Sequence, residues 1–330
     1  MLVLAKSVLA MMIGFIIAII FGYILIPLLK KFKIGQNVSE YLSEQHKSKQ
    51  GVPTMGGLIF IIPTLLTILV LLLLKKMEFT ENLFIVLFVF LGYALVGFLD
   101  DYLIIKRHNN KGLTQLQKLF LQLVIALIFF YIFINSGHEP VLLIYTLGIE
   151  IDMGWFYGLF ILFVLLASSN AVNLTDGLDG LAGGLSLIAF VTFGLIAWNS
   201  RGIYGYQDLA IFCFILVGTL LAFLFYNTHP AKVFMGNTGS LALGATLASL
   251  AIITNHEITF VVVAGVFVVE TLSCIIQTLS VIFRKKRVFL MTPLHHHFEK
   301  LGWQEQDIVK MFWVVGLILG MISIVFGVWI

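Results

Sequence analysis

Leu83-Phe84-Ile85-Val86-Leu87-Phe88-Val89-Phe90-Leu91-Gly92-Tyr93-Ala94-Leu95-Val96-Gly97-Phe98-Leu99-Asp100-Asp101 reads as one crossing of a membrane that ends on a pair of acids. No charged side chain interrupts residues 83–99. A helix at the surface of a soluble domain keeps a polar face, and this run has none. At about 1.5 Å of rise per residue it spans most of a hydrocarbon layer about 30 Å thick. A carboxylate at the middle of such a helix costs about 2.5–3.5 kcal/mol, and less towards the interface. Two adjacent carboxylates therefore belong at the membrane surface.

Composition extends the same reading to the whole chain. Of its 330 residues, 60% are hydrophobic and 11% charged, against about 25% charged in a soluble domain. Apolar runs predict about ten transmembrane helices, near 3–29, 57–74, 83–100, 117–135, 155–173, 181–199, 208–226, 239–254, 258–283 and 308–330. The first run is too long for a signal peptide and no small-residue cleavage site follows it, so it is expected to stay as an uncleaved span. The fold class expected is an all-α integral membrane protein forming one polytopic domain over residues 1–330. Cys213 and Cys274 lie in apolar runs, which argues against a disulfide framework or a cysteine zinc site. Val141–Thr146 and Ile149–Met153 flank Leu147-Gly148 and predict a small β-hairpin outside the bilayer. No solenoid repeat and no inverted transporter repeat is visible.

Basic residues set the orientation. Lys30, Lys31, Lys33, Lys47, Lys49, Lys106, Arg107, Lys111, Lys118, Lys232, Arg284, Lys285, Lys286, Arg287, Lys300 and Lys310 fall in one set of loops, which is 16 of the 20 Lys and Arg. Lys6, Lys75, Lys76 and Arg201 fall on the other side. Positive residues stay in the cytoplasm, so both termini are expected outside and five polar loops inside. The run Arg284–Arg287 also suits a surface anchor on anionic lipid.

Four polar motifs fall in the inner loops. Asp100-Asp101 suits Mg²⁺, a hard cation with oxygen ligands, or a proton-transfer site; two solvated acids at a helix end are the plainer reading. In Asn170–Gly184, Asn170, Asn173 and Asp176 recur every three residues, as on one side of a helix end, with glycines that also suit tight helix packing. Tyr226–Ser240 holds Gly236-x-x-Gly239 at the expected start of a helix, where free N–H groups accept an anion; an ordinary capped loop fits as well. Pro293-Leu294-His295-His296-His297-Phe298-Glu299 places three histidines in a row. They cannot all reach one metal from a regular element, so hydrogen bonding to phosphate, sugar or carboxylate is favoured over zinc. Together the motifs suit an anionic, Mg²⁺-bound substrate reacting with one embedded in the bilayer. Phosphoryl transfer needs positioning, charge neutralisation and a base. The competing class is an ion-coupled transporter, whose site would lie near the midplane. Glu270 is the mid-span acid that such a reading would use. Nothing points to nucleic acid.

On Pro53-Thr54-Met55-Gly56-Gly57, Asp100-Asp101, Asn170–Gly184, Phe234–Ser240 and Pro293–Glu299, the chain resembles the phospho-N-acetylmuramoyl-pentapeptide transferases. These belong to the polyprenyl-phosphate N-acetylhexosamine-1-phosphate transferase superfamily. The resemblance covers essentially the whole chain. The histidine run favours this branch over relatives that use UDP-N-acetylglucosamine. It implies transfer from UDP-N-acetylmuramoyl-pentapeptide to undecaprenyl phosphate, giving lipid I and UMP, the first membrane step of peptidoglycan synthesis. It also implies Mg²⁺, a cytoplasmic active site in the bacterial inner membrane, and a homodimer. By resemblance, Asp100 is the base on the lipid phosphate with Asp101 beside it, and His296 joins the catalytic set. Lys49, Asn170, Asn173, Asp176, Asp179, Asn227, Phe234, His295, His297, Lys111 and Lys118 are implied as substrate contacts, Phe234 as a platform for uracil. Position 237, with Asp176 and Asp179, is implied to hold the metal. The family pattern has Asp at that position and this chain has Asn237. An amide keeps one oxygen ligand and loses a full charge, which admits a weakly active chain or a nucleotide binder without turnover. Softer departures are Gln50-Gly51-Val52 before Pro53 and the acid-poor stretch before His46.

Overall fold

The computed structural model describes residues 2–31, 49, 51–107, 112–144, 147–199 and 205–329. Its helices are α1 Leu2–Lys31, α2 Leu58–Leu73, α3 Glu81–Arg107, α4 Gln115–Asn135, α5 Phe156–Thr175, α6 Leu181–Asn199, α7 Tyr206–Asn227 and α8 Gly236–Ile253. They continue as α9 Glu257–Val263, α10 Gly265–Arg284, α11 Leu294–Lys300 and α12 Glu305–Ile324, with a π-helical turn at Val325–Trp329. Among the described residues, nine helices are long and apolar enough to cross a membrane, and α2 is a shorter apolar helix. The chain is therefore an all-α, multi-pass membrane protein.

Two expected boundaries need correction. The run 258–283 is not one helix: it breaks at Ala264 into α9 and α10. Gly265 lies at the break, and a Cβ there would come within 2.8 Å of the Leu319 side chain on α12. A low-propensity residue and a close neighbour together favour the break. The last helix also starts earlier than expected, at Glu305. Strands β1 Val141–Ile144 and β2 Ile149–Asp152 pair antiparallel, Val141 opposite Asp152 and Ile144 opposite Ile149.

Helices α7 and α8 form the centre and are buried almost all round. Helices α1 and α2 pack on α7, and α3 and α5 pack on α8. Apolar side chains gain little by leaving lipid, so such packing relies on close backbone approach. At Gly97 of α3 a Cβ would collide with the Asn237 carbonyl, and at Gly244 of α8 with that of Ser168. These contacts bring the polar end of α3 and α5 against the first turn of α8.

Candidate active site

The two neighbouring acids have different jobs. Asp101 is buried and accepts from Asn237 N at 3.1 Å, Thr238 N at 2.9 Å and Thr238 Oγ1 at 2.7 Å. The first turn of a helix has N–H groups with no internal partner and carries partial positive charge. Asp101 satisfies two of those groups at the start of α8 and joins α3 to it. Asp100 is also buried and accepts from Leu113 N at 2.6 Å and Lys118 Nζ at 2.7 Å. Its Oδ2 takes a further, short bond from the Asn237 amide. The Asn237 Oδ1 accepts in turn from Asn173 Nδ2 at 2.5 Å, which also reaches Ser240 Oγ at 2.8 Å. Asp100, Asn173, Asn237 and Lys118 thus come together from four helices. Asn170, three residues before Asn173, is turned away and bonds Gln122 Oε1 and Leu166 O at 3.2 and 2.8 Å.

A second cluster lies beyond Asp176. Lys49 Nζ bonds Asp179 Oδ1 at 2.7 Å and Glu305 Oε1 at 2.6 Å. Asp179 Oδ2 meets His229 Nδ1 and Ala231 N, each at 3.1 Å. The Glu305 Oε1 also accepts from Asp179 N at 2.6 Å. Asn227 holds this loop together: its Oδ1 accepts from Gly180 N at 3.0 Å and its Nδ2 donates to Val233 O at 2.9 Å. Ligand atoms of Asp179, His229 and Glu305 lie within 4.8 Å of one another, a spacing that also suits a cation. Here the Lys49 ammonium already bonds one oxygen of each acid.

Asp176 caps the end of α5 between the clusters. Burial first, then the Asp101 and Asp179 carboxylates, push its carboxyl well above the usual range, while Lys49 pulls the other way. Among the described residues its carboxylate accepts no hydrogen bond. Asp100 is already held by Lys118 and the Asn237 amide, and Asn237 Oδ1 by Asn173. Among the described residues the Asp176 carboxylate is the one left without such a partner, and carboxylate and amide oxygens are the donor type a hard divalent cation takes.

Two further walls complete the site. Pro53 O accepts from Phe234 N, and Phe234 O from Gly56 N, both at 2.8 Å. This strap fixes the turn into α8 and leaves Phe234 half-buried. The histidine triplet forms the other wall on α11. His295 Nδ1 bonds Glu270 Oε2 at 3.0 Å, His296 Nδ1 bonds Glu299 Oε2 at 2.5 Å, and His297 Nδ1 accepts from Leu290 N at 3.1 Å. The three rings take three separate partners. His295 Nε2 abuts Gly177, where a Cβ would collide with it.

Lys111, and with it His46 and Gln50, lies outside the described residues. Sequence reasoning missed Glu305, His229 and Thr238 as parts of the site. Glu305 reads as an ordinary first-turn acid on a helix, and no spacing rule links it to Lys49, 256 positions away.

The architecture defines a class first: a membrane-embedded enzyme whose polar groups gather at one end of its bundle. The sequence model of Glycosyl transferase family 4 matches residues 83–255. The chain is 46% identical over 323 residues to the phospho-N-acetylmuramoyl-pentapeptide-transferase of Geobacillus thermodenitrificans, covering 98% of each chain. It is 44% identical to that of Oceanobacillus iheyensis over 97% of this chain and 98% of the relative. It is 45% identical to that of Bacillus subtilis over 96% of each. The chain belongs to the phospho-N-acetylmuramoyl-pentapeptide-transferase family, within glycosyl transferase family 4.

Proposed function

We propose that this chain transfers phospho-N-acetylmuramoyl-pentapeptide from its UDP-sugar to undecaprenyl phosphate. An oxygen of the lipid phosphate attacks the β-phosphorus. The bond from that phosphorus to the UMP oxygen breaks, UMP leaves, and a lipid-linked sugar pyrophosphate (lipid I) remains. The observation that carries this reading is the meeting of Asp100, Asn173 and Asn237 at span ends, where a lipid phosphate and a soluble nucleotide can both arrive.

In this reading Asp100 takes the proton of the attacking phosphate, and Lys118 holds that carboxylate in place. Its Oδ2 is covered by the Asn237 amide, which must swing aside for proton transfer. Asp101 fixes the first turn of α8 so that position 237 faces Asp100. Asp176, Asp179 and Asn237 would hold Mg²⁺, which neutralises the phosphates and the departing UMP when bound. Lys49, Asp179 and Asn227 order the nucleotide side, with Phe234 as a face for uracil, and His295, His296 and His297 line the sugar-phosphate side. The basic-loop bias supports a cytoplasmic site with both termini outside, within one polytopic domain of the bacterial cytoplasmic membrane. Family resemblance adds a homodimeric unit.

The test is UMP release by the detergent-purified protein given undecaprenyl phosphate, Mg²⁺ and UDP-N-acetylmuramoyl-pentapeptide. UDP-N-acetylglucosamine serves as the alternative donor. Release with the first donor and none with the second is expected. Release with the second donor alone would overturn the assignment.

A further inference from the structure

Helix α10 faces lipid along most of its length, with Val269, Leu272, Ile275, Ile276, Leu279 and Phe283 exposed. On its inner face Glu270 is fully buried. An acid inside a membrane span is costly unless it is paired. Its carboxylate receives two donors from one residue. His295 N approaches Oε1 at 3.1 Å, and His295 Nδ1 lies 3.0 Å from Oε2. Two helical turns further on, Gln277 holds the same returning segment. Its Oε1 accepts from Val288 N and Phe289 N at 2.9 and 3.0 Å, and its Nε2 donates to Phe289 O at 2.9 Å. Ser280 adds a bond to Lys286 O at 2.9 Å. Gln277 and Ser280 show that neutral side chains suffice to hold this backbone. The carboxyl group at position 270 does something more: besides the His295 N–H it touches the imidazole.

A carboxylate only accepts, so the Nδ1 bonded to it carries the hydrogen, and a neutral ring then has its lone pair at Nε2. That Nε2 is buried with no partner among the described residues. It lies against Gly177, directly after Asp176. An unsatisfied buried atom in an otherwise bonded site asks for a reason. We infer that Glu270 is a positioning residue for the transfer reaction, locking His295 as the Nδ1–H tautomer so that Nε2 presents an acceptor at the Asp176–Gly177 turn. The hydrogen-bond donor it takes is a hydroxyl or N–H of the nucleotide-sugar. This inference rests on the transferase reading for its kinetics but not for its tautomer.

Glu270→Gln tests it. Glutamine keeps the shape and one oxygen for the His295 N–H, but turns an NH₂ towards Nδ1 and so favours the Nε2–H ring. With ¹⁵N-histidine labelling, the His295 nitrogen shifts should exchange from the Nδ1–H to the Nε2–H pattern. Orienting partners of metal-ligating histidines are worth about 10–100-fold in affinity or activity, which sets the scale expected for an oriented imidazole here. The kcat/KM for the nucleotide-sugar should therefore fall at least about tenfold, while KM for the lipid phosphate and the unfolding temperature in detergent stay as in the parent. In a His295→Asn background, Glu270→Gln should cost nothing more, because the two act as one unit. An unchanged tautomer, an unchanged kcat/KM, or a full additional loss in the double variant would overturn the proposal. If the parent releases no UMP, the transferase reading fails on its own and the tautomer experiment alone decides the role of Glu270.

Discussion

Asn237 decides what kind of partner Asp100 has. Its amide donates to Asp100 and accepts from Asn173, so it occupies a lone pair that Asp100 would need as the proposed base. An Asp there removes that donor and faces Asp100 with a second negative charge, which only a cation reconciles. Asn237→Asp should therefore raise UMP release at least about tenfold, or about 1.4 kcal/mol of barrier. It should also lower the Mg²⁺ concentration for half-maximal rate; equal rates at equal Mg²⁺ would remove position 237 as principal ligand. General-base catalysis contributes about 10²–10⁴-fold, so Asp100→Asn should lose at least about 10² in turnover while still binding the nucleotide-sugar in calorimetry. Asp176 offers a pH test without substrate. Its folded carboxyl is raised, so the folded state holds this proton more tightly than the unfolded chain does. Stability from it is complete below the ordinary carboxylate range and is lost as pH rises through the raised value. In chelator, Asp176→Asn should unfold at a higher temperature than the parent at pH 8, and the gap should narrow towards pH 4.

At the scale of elements, helix α3 meets α8 through Gly97, with the Asn237 carbonyl where a side chain would go. Gly97→Ala must push the helices apart, and such overpacking typically costs about 1–3 kcal/mol. A lower unfolding temperature together with weakened activity is expected; a silent substitution would mean that the first turn of α8 tolerates displacement. The spans were legible because lipid imposes one rule on every segment, a long apolar run. The acid pair was legible as a site because carboxylates at a span end are rare and costly. Their division of labour was not, since capping α8 needs a partner 136 residues away in sequence. The break at Ala264 was hidden because Val263-Ala264-Gly265 is as apolar as the helices on either side. The clamp of Glu270 on His295 was invisible for a related reason: it is set by how α10 and α11 fold back on each other.

For the whole molecule, orientation is the main prediction. A single cysteine placed near Lys285 or His296 should react with a membrane-impermeant reagent only from the cytoplasm, and one near Gly148 only from outside. Labelling of both positions from one side would reverse or break the topology, and with it the access of a soluble nucleotide to Asp179. The basic bias of 16 in 20 is large enough that moving one lysine should not invert the bundle.

The Lys49 ammonium is held by Asp179 and by Glu305, the first residue of α12. Membrane proteins are threaded into the bilayer in order from the amino end, so Glu305 arrives after every span from α1 to α10. Until then Lys49 lacks its second carboxylate, and the backbone N–H of Asp179 has no acceptor from α12. The Lys49–Asp179 cluster is therefore complete only once the start of α12 is in place. A chain that ends before Glu305, however much of its bundle is already in place, lacks the acid that ties Lys49 to the Asp179 backbone.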